Sequence, residues 1–338
     1  MKKRALFAVA AASVLAMLAA CGGGSDGETA NPGDSITPAP PLDDSSMVEV
    51  ILTPTYGESS EEYAAYSLLN NERVRCGFGS LRQNAQLDQA ARAHADWMMI
   101  NRVMSHYESP SFPNGFTGYA PSDRVAFAGY TTTYSVSEGI AFGGDGTKDG
   151  RGAAGVRELL AGTYHAIGAL RPDRDIGISV RQGSDVGLST MMVPTVIVTG
   201  TQIGYQTLGG ADIVTYPCDG SQGVLPDLGL EEPNPVPGRN LSTRPLGSSI
   251  TIMARVGNNL HLTNATMTRV SDGSEVVMRS PIVGADDPNG QLTNQPYIGY
   301  VIPDSPMEPN EAYLVVISGT NNGTQFTRTF TFTTGAAR

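Results

Sequence analysis

Apolar positions recur at helical spacing through the first half of the chain and alternate with polar ones near its end. Leu87, Ala91, His94, Ala95 and Met98 fall on one face of a helix that starts near Asn84. That places His94 on an apolar stripe, which predicts a core histidine satisfied by a nearby carbonyl. An earlier helix is expected from Ser59, which stands three residues ahead of Glu62 in a capping-box pattern. Tyr63, Tyr66, Leu68 and Leu69 form its stripe, and Gly77 is its expected stop. A third helix is predicted over "AGVRELLAGTYHAIGAL", with Val156, Leu159, Leu160 and Thr163 on one face and His165 near its C-terminal end. Residues 107–155 are Gly-rich and predict loops.

The period then shortens to two. "DIGISVRQ" and "GLSTMMVPTVIVTG" are rich in β-branched residues and predict strands. A Pro-rich connector, "VLPDLGLEEPNPVPGRNLSTRPLG", separates them from a stretch holding only strand signals, punctuated by Asp272-Gly273 and Asn322-Gly323. Helices first and strands last predict an α+β arrangement. The closing run of short alternating strands predicts an immunoglobulin-like (Ig-like) β-sandwich. His261 lies in one of those strands and is given no role.

The N-terminus has a different character. "MKKR" followed by "ALFAVAAASVLAML" is a positively charged start and an apolar run of signal-peptide length, short for a membrane span. It ends in "LAAC", a lipobox pattern, which predicts a lipoprotein acylated at Cys21 and tethered to a membrane. Gly22 follows, where an Asp would suggest inner-membrane retention, so outer-membrane sorting is expected. The predicted organisation is a signal peptide over 1–20, a disordered tether over 21–58, a mixed domain over 59–223, a linker over 224–240 and the Ig-like sandwich over 241–338. "MVEVIL" is the one strand-like stretch of the tether.

With Cys21 lipidated, Cys76 and Cys218 remain. An even remainder in an exported protein predicts a disulfide in preference to two buried thiols. The net charge of −11 becomes more negative once Lys2, Lys3 and Arg4 leave with the leader. A chain this acidic argues against nucleic acid and against electrostatic binding to anionic headgroups.

Several ordered blocks resemble the CAP superfamily (cysteine-rich secretory, antigen 5 and pathogenesis-related proteins), also called the SCP domain. They are "LLNNERVRCGFGSLRQNAQLDQAARAHADWM", "MSHYESP", "SEGIAFGG", "VRELLAGTYHAIGAL" and "RDIGISV". The match covers residues 63–205, and the C-terminal sandwich lies outside it. The resemblance implies an α–β–α sandwich with a cleft that in much of the family holds two histidines and two acids. By position the histidines fall on His106 and His165 and the first acid on Glu138, with no clear match for the second. Glu158 lies about two turns too early, and the Ser of the family's "NSPGH" is Gly162. Tyr107 and Arg124 are expected at the cleft periphery, and "GGDGTKDG" at its mouth.

His106, His165 and Glu138 are a set that could hold a divalent metal such as zinc, or serve as a hydrogen-bonded trio. No nucleophile elbow and no phosphate loop accompany them, so no catalytic residue is assigned and the balance tilts away from an enzyme. The leading expectation is an envelope-anchored lipoprotein whose cleft binds a small apolar or lipid ligand, or a partner protein. The alternatives are a metal-dependent hydrolase of an envelope or extracellular polymer, and a structural or adhesive surface protein.

Overall fold

The computed structural model describes residues 46–208 and 212–337. The signal peptide, Cys21 and most of the tether lie outside the described residues. No helix among the described residues is long and apolar enough to cross a membrane.

The first module is built on a four-stranded sheet of order β1-β3-β4-β2. Its strands are β1 (Arg82–Gln83), β2 (Ser137–Gly143), β3 (Asp175–Val180) and β4 (Val193–Gly200). Helix α2 (Ala85–Asn101) covers one face together with the short α3 (Pro121–Phe127). Helices α1 (Glu61–Arg75), α4 (Arg151–Ala161) and α5 (Thr163–Leu170) cover the other. Alternation along the strands divides the core: Ile176, Ile178, Val180 and Ile197 pack under α1, α4 and α5, while Val196 and Val198 pack under α2. The result is an α–β–α sandwich.

Local chemistry sets these elements. The Asn84 side chain accepts from the amides of Gln86 and Leu87 and starts α2 at the predicted residue. Leu87, Trp97 and Met98 are fully buried on its inner face, each contributing roughly 1.5–3 kcal/mol. Helix α2 rides so close to the sheet that a Cβ at Gly177 would sit 2.0 Å from the Leu87 carbonyl carbon.

Three local expectations are corrected. The segment 107–155 is not all loop, since it contains α3 and the strand β2; the two glycines of "SEGIAFG" hide a strand that pairs along its full length with β4. The third predicted helix is two helices, α4 and α5, because Gly162 between them is extended (φ −70°, ψ 161°). Finally, the tether does not stay free up to residue 58. Val48 and Val50 carbonyls accept from Ser80, the Leu52 carbonyl accepts from the Tyr66 hydroxyl, and Tyr56 donates to Asp88.

The C-terminal strands form two sheets, as the alternation predicts. One has the order β10-β11-β7-β5, from β5 (Ile213–Tyr216), β7 (Ile250–Ala254), β10 (Ile282–Val283) and β11 (Ile298–Val301). The other has the order β6-β13-β12-β8-β9, from β6 (Gln222–Val224), β8 (Leu260–Arg269), β9 (Glu275–Val276), β12 (Ala312–Asn321) and β13 (Thr324–Thr334). Asn322 and Gly323, both at positive φ, turn β12 into β13. Strands β5 and β6 precede the Pro-rich connector yet pair with strands that follow it. Residues 213–224 therefore belong to the sandwich sheets, although the sequence places 213–223 in the first module.

The two modules share a core. Met253, Ile298 and Tyr300 of β7 and β11 pack in one cluster with Leu160, Ile167 and Leu170 of α4 and α5. Ile250, Ile252 and Val301 on the opposite face of the same sheet fill the sandwich interior. This sheet is thus buried on both sides, which explains why β7 and β11 have no exposed position. The predicted disulfide is present: Cys76 at the end of α1 is bonded to Cys218, just after β5.

Candidate functional site

The loop after α2 carries "MSHYESP" across the end of the sheet. Arg124 of α3, 1% exposed, fixes it from beneath by donating to the carbonyls of His106 (3.0 Å) and Tyr119 (3.1 Å) and to Glu138 Oε2 (2.7 Å). Glu108, wholly buried, accepts from the Thr117 amide and lies 3.0 Å from His94 Nδ1. His94 Nε2 is 2.9 Å from the Ser105 carbonyl. His94 is thus a fully partnered core histidine. Arg124 lies under the cleft floor instead of at its rim, because two buried carboxylates need a buried cation.

His106 lies above this network with Nδ1 3.0 Å from Glu138 Oε1. The Glu138 side chain is 2% exposed and that of His106 is 34%. Burial pushes the Glu138 carboxyl upward, but the His106 hydrogen bond and the charges of His94, Arg124 and His106 outweigh it and hold the group below its ordinary value. His165, on the first turn of α5, faces His106 across the cleft with ring centroids 6.0 Å apart. Its position near a helix start, not a helix end, follows from the break at Gly162.

The acid missing from the first module comes from the connector. Glu231 Oε1 lies 3.2 Å from His165 Nδ1, and its side chain is 1% exposed. The same carboxylate accepts from the amides of Thr163 (2.7 Å), Tyr164 (2.7 Å) and His165 (3.1 Å), so it caps α5. A Cβ at Gly162 would stand 2.8 Å from Glu231 Oε1. The sequence does contain a signal for this arrangement: a helix start with glycine where a capping hydroxyl would stand needs its acceptor from elsewhere. Glu158 takes no part and pairs with Arg151 at 3.0 Å.

The cleft between the two imidazoles and the connector has a volume of about 810 Å³. Met104, Tyr107, Ile140, Phe142, Leu230 and Leu241 supply apolar wall, and His106 and His165 line the same cleft. Tyr107 is exposed at the rim and stacks on Tyr119 at 5.0 Å. The 143–150 loop contributes no lining residue.

His106, His165 and Glu138 do not make a three-residue metal donor set. Glu138 stands behind His106 on its Nδ1 side, and its second oxygen is committed to Arg124. Among the described residues no group of three His, Cys, Asp or Glu side chains is arranged to hold a metal ion. The geometry is that of two His–carboxylate pairs, His106–Glu138 and His165–Glu231. Nε2 of neither ring has a hydrogen-bond partner among the described residues.

No family model and no curated protein matches the chain. Solved structures similar to parts of it include an outer surface protein from Borrelia burgdorferi, at 18% identity and a TM-score of 0.33, covering 44% of this chain and 96% of that one. An extracellular protein containing a SCP domain from Bacillus anthracis str. Ames aligns at 20% identity and a TM-score of 0.31, covering 41% of this chain and 40% of that one. Likenesses at these scores carry no conclusion about activity, ligand or location.

Proposed function

We propose that this chain is a CAP-type lipoprotein of the bacterial envelope, anchored through Cys21 and sorted to the outer membrane, whose cleft binds a small apolar or lipid-like ligand. One observation carries the ligand reading: a cleft of about 810 Å³ with apolar side chains in its wall is also lined by two imidazoles whose Nε2 atoms have no hydrogen-bond partner among the described residues. Concave, mostly apolar sites with a few convergent polar groups are the usual form of small-molecule pockets. The ordered sequence blocks around His106, Glu138 and His165 support the family reading, and "LAAC" supports the anchor.

The test has two arms. Mass spectrometry of organic extracts from the natively purified protein is expected to find one apolar species enriched over extracts of a His106→Ala, Phe142→Ala variant. Equal extracts from both proteins would remove the ligand reading. Labelling with a radioactive fatty acid is expected to mark the wild-type chain and not Cys21→Ser; label retained by Cys21→Ser would remove the anchor.

A further inference from the structure

The rim of the cleft carries exposed apolar side chains that nothing in the fold covers. Met104, Tyr107 and Leu230 line the cleft, and Tyr119 stacks on Tyr107. All four are more than half exposed. Large apolar side chains scattered singly over a surface are ordinary, but four around one opening form a patch. The loop that carries three of them also lacks charge. Charged residues are 16% of the chain, yet residues 103–122 hold one Asp, Glu, Lys or Arg in all. That residue is Glu108, which is wholly buried. On the connector side the lining charges are the buried Glu231, Arg239 paired with Asp304, and the exposed Glu232.

The N-terminal segment reaches the body at the same end of the sheet. The Ser46 carbonyl accepts from Arg174, and the Val48 carbonyl accepts from the Ser80 amide. Arg174 and Ser80 lie just before β3 and β1, where Arg82 stands opposite Asp175. Farther across the sheet Asp175 pairs with Gly200, and the adjacent Thr199 pairs with Ser137, the residue before Glu138. The chain therefore enters beside β1 and the cleft lies beside β2, three strand spacings or about 14 Å across the sheet. Cys21 precedes Ser46 by 25 residues, which span at most about 90 Å. An acyl group on Cys21 would keep this end of the body beside the bilayer, where even a weak apolar contact is made at high effective concentration.

We propose that the rim formed by Met104, Tyr107, Tyr119 and Leu230 docks on the lipid interface and lays the mouth of the cleft against the bilayer. Tyrosine suits the headgroup level, with its apolar ring and polar tip. Methionine and leucine suit the acyl boundary beneath it. An uncharged rim on an acidic chain fits a zwitterionic surface, held by apolar contact and not by charge. The proposal rests on the Cys21 anchor proposed above and does not depend on the identity of any ligand in the cleft.

The test uses the acylated full chain, purified from membranes and reconstituted into phosphatidylcholine vesicles. An environment-sensitive fluorophore is attached at Tyr119→Cys, which is outside the cleft lining, or at Met191→Cys. Met191 is also more than half exposed, but it precedes β4 at the opposite end of the sheet, where Val193 pairs with Gly143. Phosphatidylcholine with a nitroxide on its acyl chains is expected to quench the label at 119 and to leave the label at 191 bright. Tyr107→Glu with Leu230→Glu is expected to abolish the quenching at 119 while the chain stays with the vesicles. Salt at about 1 M, where the Debye length is about 3 Å, is expected to leave the quenching unchanged. Equal fluorescence at the two positions in a chain that stays with the vesicles overturns the docking and leaves the anchor standing. A label at 119 that is shielded from water yet unquenched overturns it in favour of a protein on this face. Quenching lost at high salt overturns it in favour of charge attraction. A chain that does not float with the vesicles removes the anchor reading, and the docking with it.

Discussion

A Cβ at Gly162 would lie 2.8 Å from Glu231 Oε1, a residue far along the sequence. The absent side chain and the distant carboxylate are two halves of one helix cap. Glu231 takes the amides of Thr163, Tyr164 and His165, where a hydroxyl on residue 162 would otherwise serve.

The two positions are therefore expected to be strongly coupled. Gly162→Ser alone forces Glu231 off three amides and should destabilise the chain by about 1–2 kcal/mol. Glu231→Ala alone removes the cap at a similar cost. In the double variant the serine hydroxyl can cap α5, since residue 162 already has extended backbone, so the double loss should be smaller than the sum. Urea denaturation of the four proteins measures this, and additive losses would contradict the shared cap.

Glu138 should govern the acid limb of stability. Its folded-state value lies below its ordinary 4.5. A lowered carboxyl contributes stability that is complete above the unfolded value and is lost as pH falls through the folded one. Asp173 has the opposite sign: burial pushes it up against Arg171, Thr199 and Arg73. Its contribution is complete below its ordinary value of 3.8 and is lost as pH rises through the raised one. Glu138→Gln should flatten the decline in stability between about pH 5 and 3, and Asp173→Asn should not. At neutral pH, Glu138→Ala leaves the buried Arg124 without its closest carboxylate and should cost about 3–5 kcal/mol. Denaturation midpoints across pH check both statements.

The disulfide joins the end of α1 to the chain just after β5, at a sequence separation of 142. In the chain-entropy model a loop of this size contributes about 5 kcal/mol. Reduction, or Cys76→Ser with Cys218→Ser, should lower the urea midpoint by a corresponding amount. A midpoint unchanged by reductant would mean the bond adds nothing to the fold.

Gly177→Ala tests the closeness of α2 to the sheet. The new methyl would meet the Leu87 backbone at 2.0 Å, which a side-chain adjustment cannot relieve. Overpacking of this kind costs about 1–3 kcal/mol or more. The nearby Gly187→Ala has no atom within 4 Å of its Cβ but sits at φ +70°, so it strains only the turn. A melting temperature lowered no further by Gly177→Ala than by Gly187→Ala would show that α2 can shift at little cost.

Local pattern carried much of the fold. Asn84 capped its helix where the side-chain chemistry placed it, and His94 fell on the apolar stripe because helical period fixes which face a residue joins. Alternation and an Asn-Gly turn likewise placed β12 and β13. These are relations within a few residues, and sequence spacing encodes them directly. The strand β2 was harder, since glycines carry no side chain to show the alternation. The blocks around His106, Glu138 and His165 singled out three residues that the fold brings close together.

What the chain could not show locally was decided by packing. Arg124 went under the cleft because two buried carboxylates needed a cation. Strands β5 and β6 joined the sandwich because their partners lie after the connector. Glu231 reached His165 because β7 and β11 bury one face against α5 and draw the connector across the cleft. A carboxylate in a proline-rich connector has nothing in its neighbours to mark it. Its role depends on an unfilled helix start 68 residues earlier, and only the packing of the two modules brings them together.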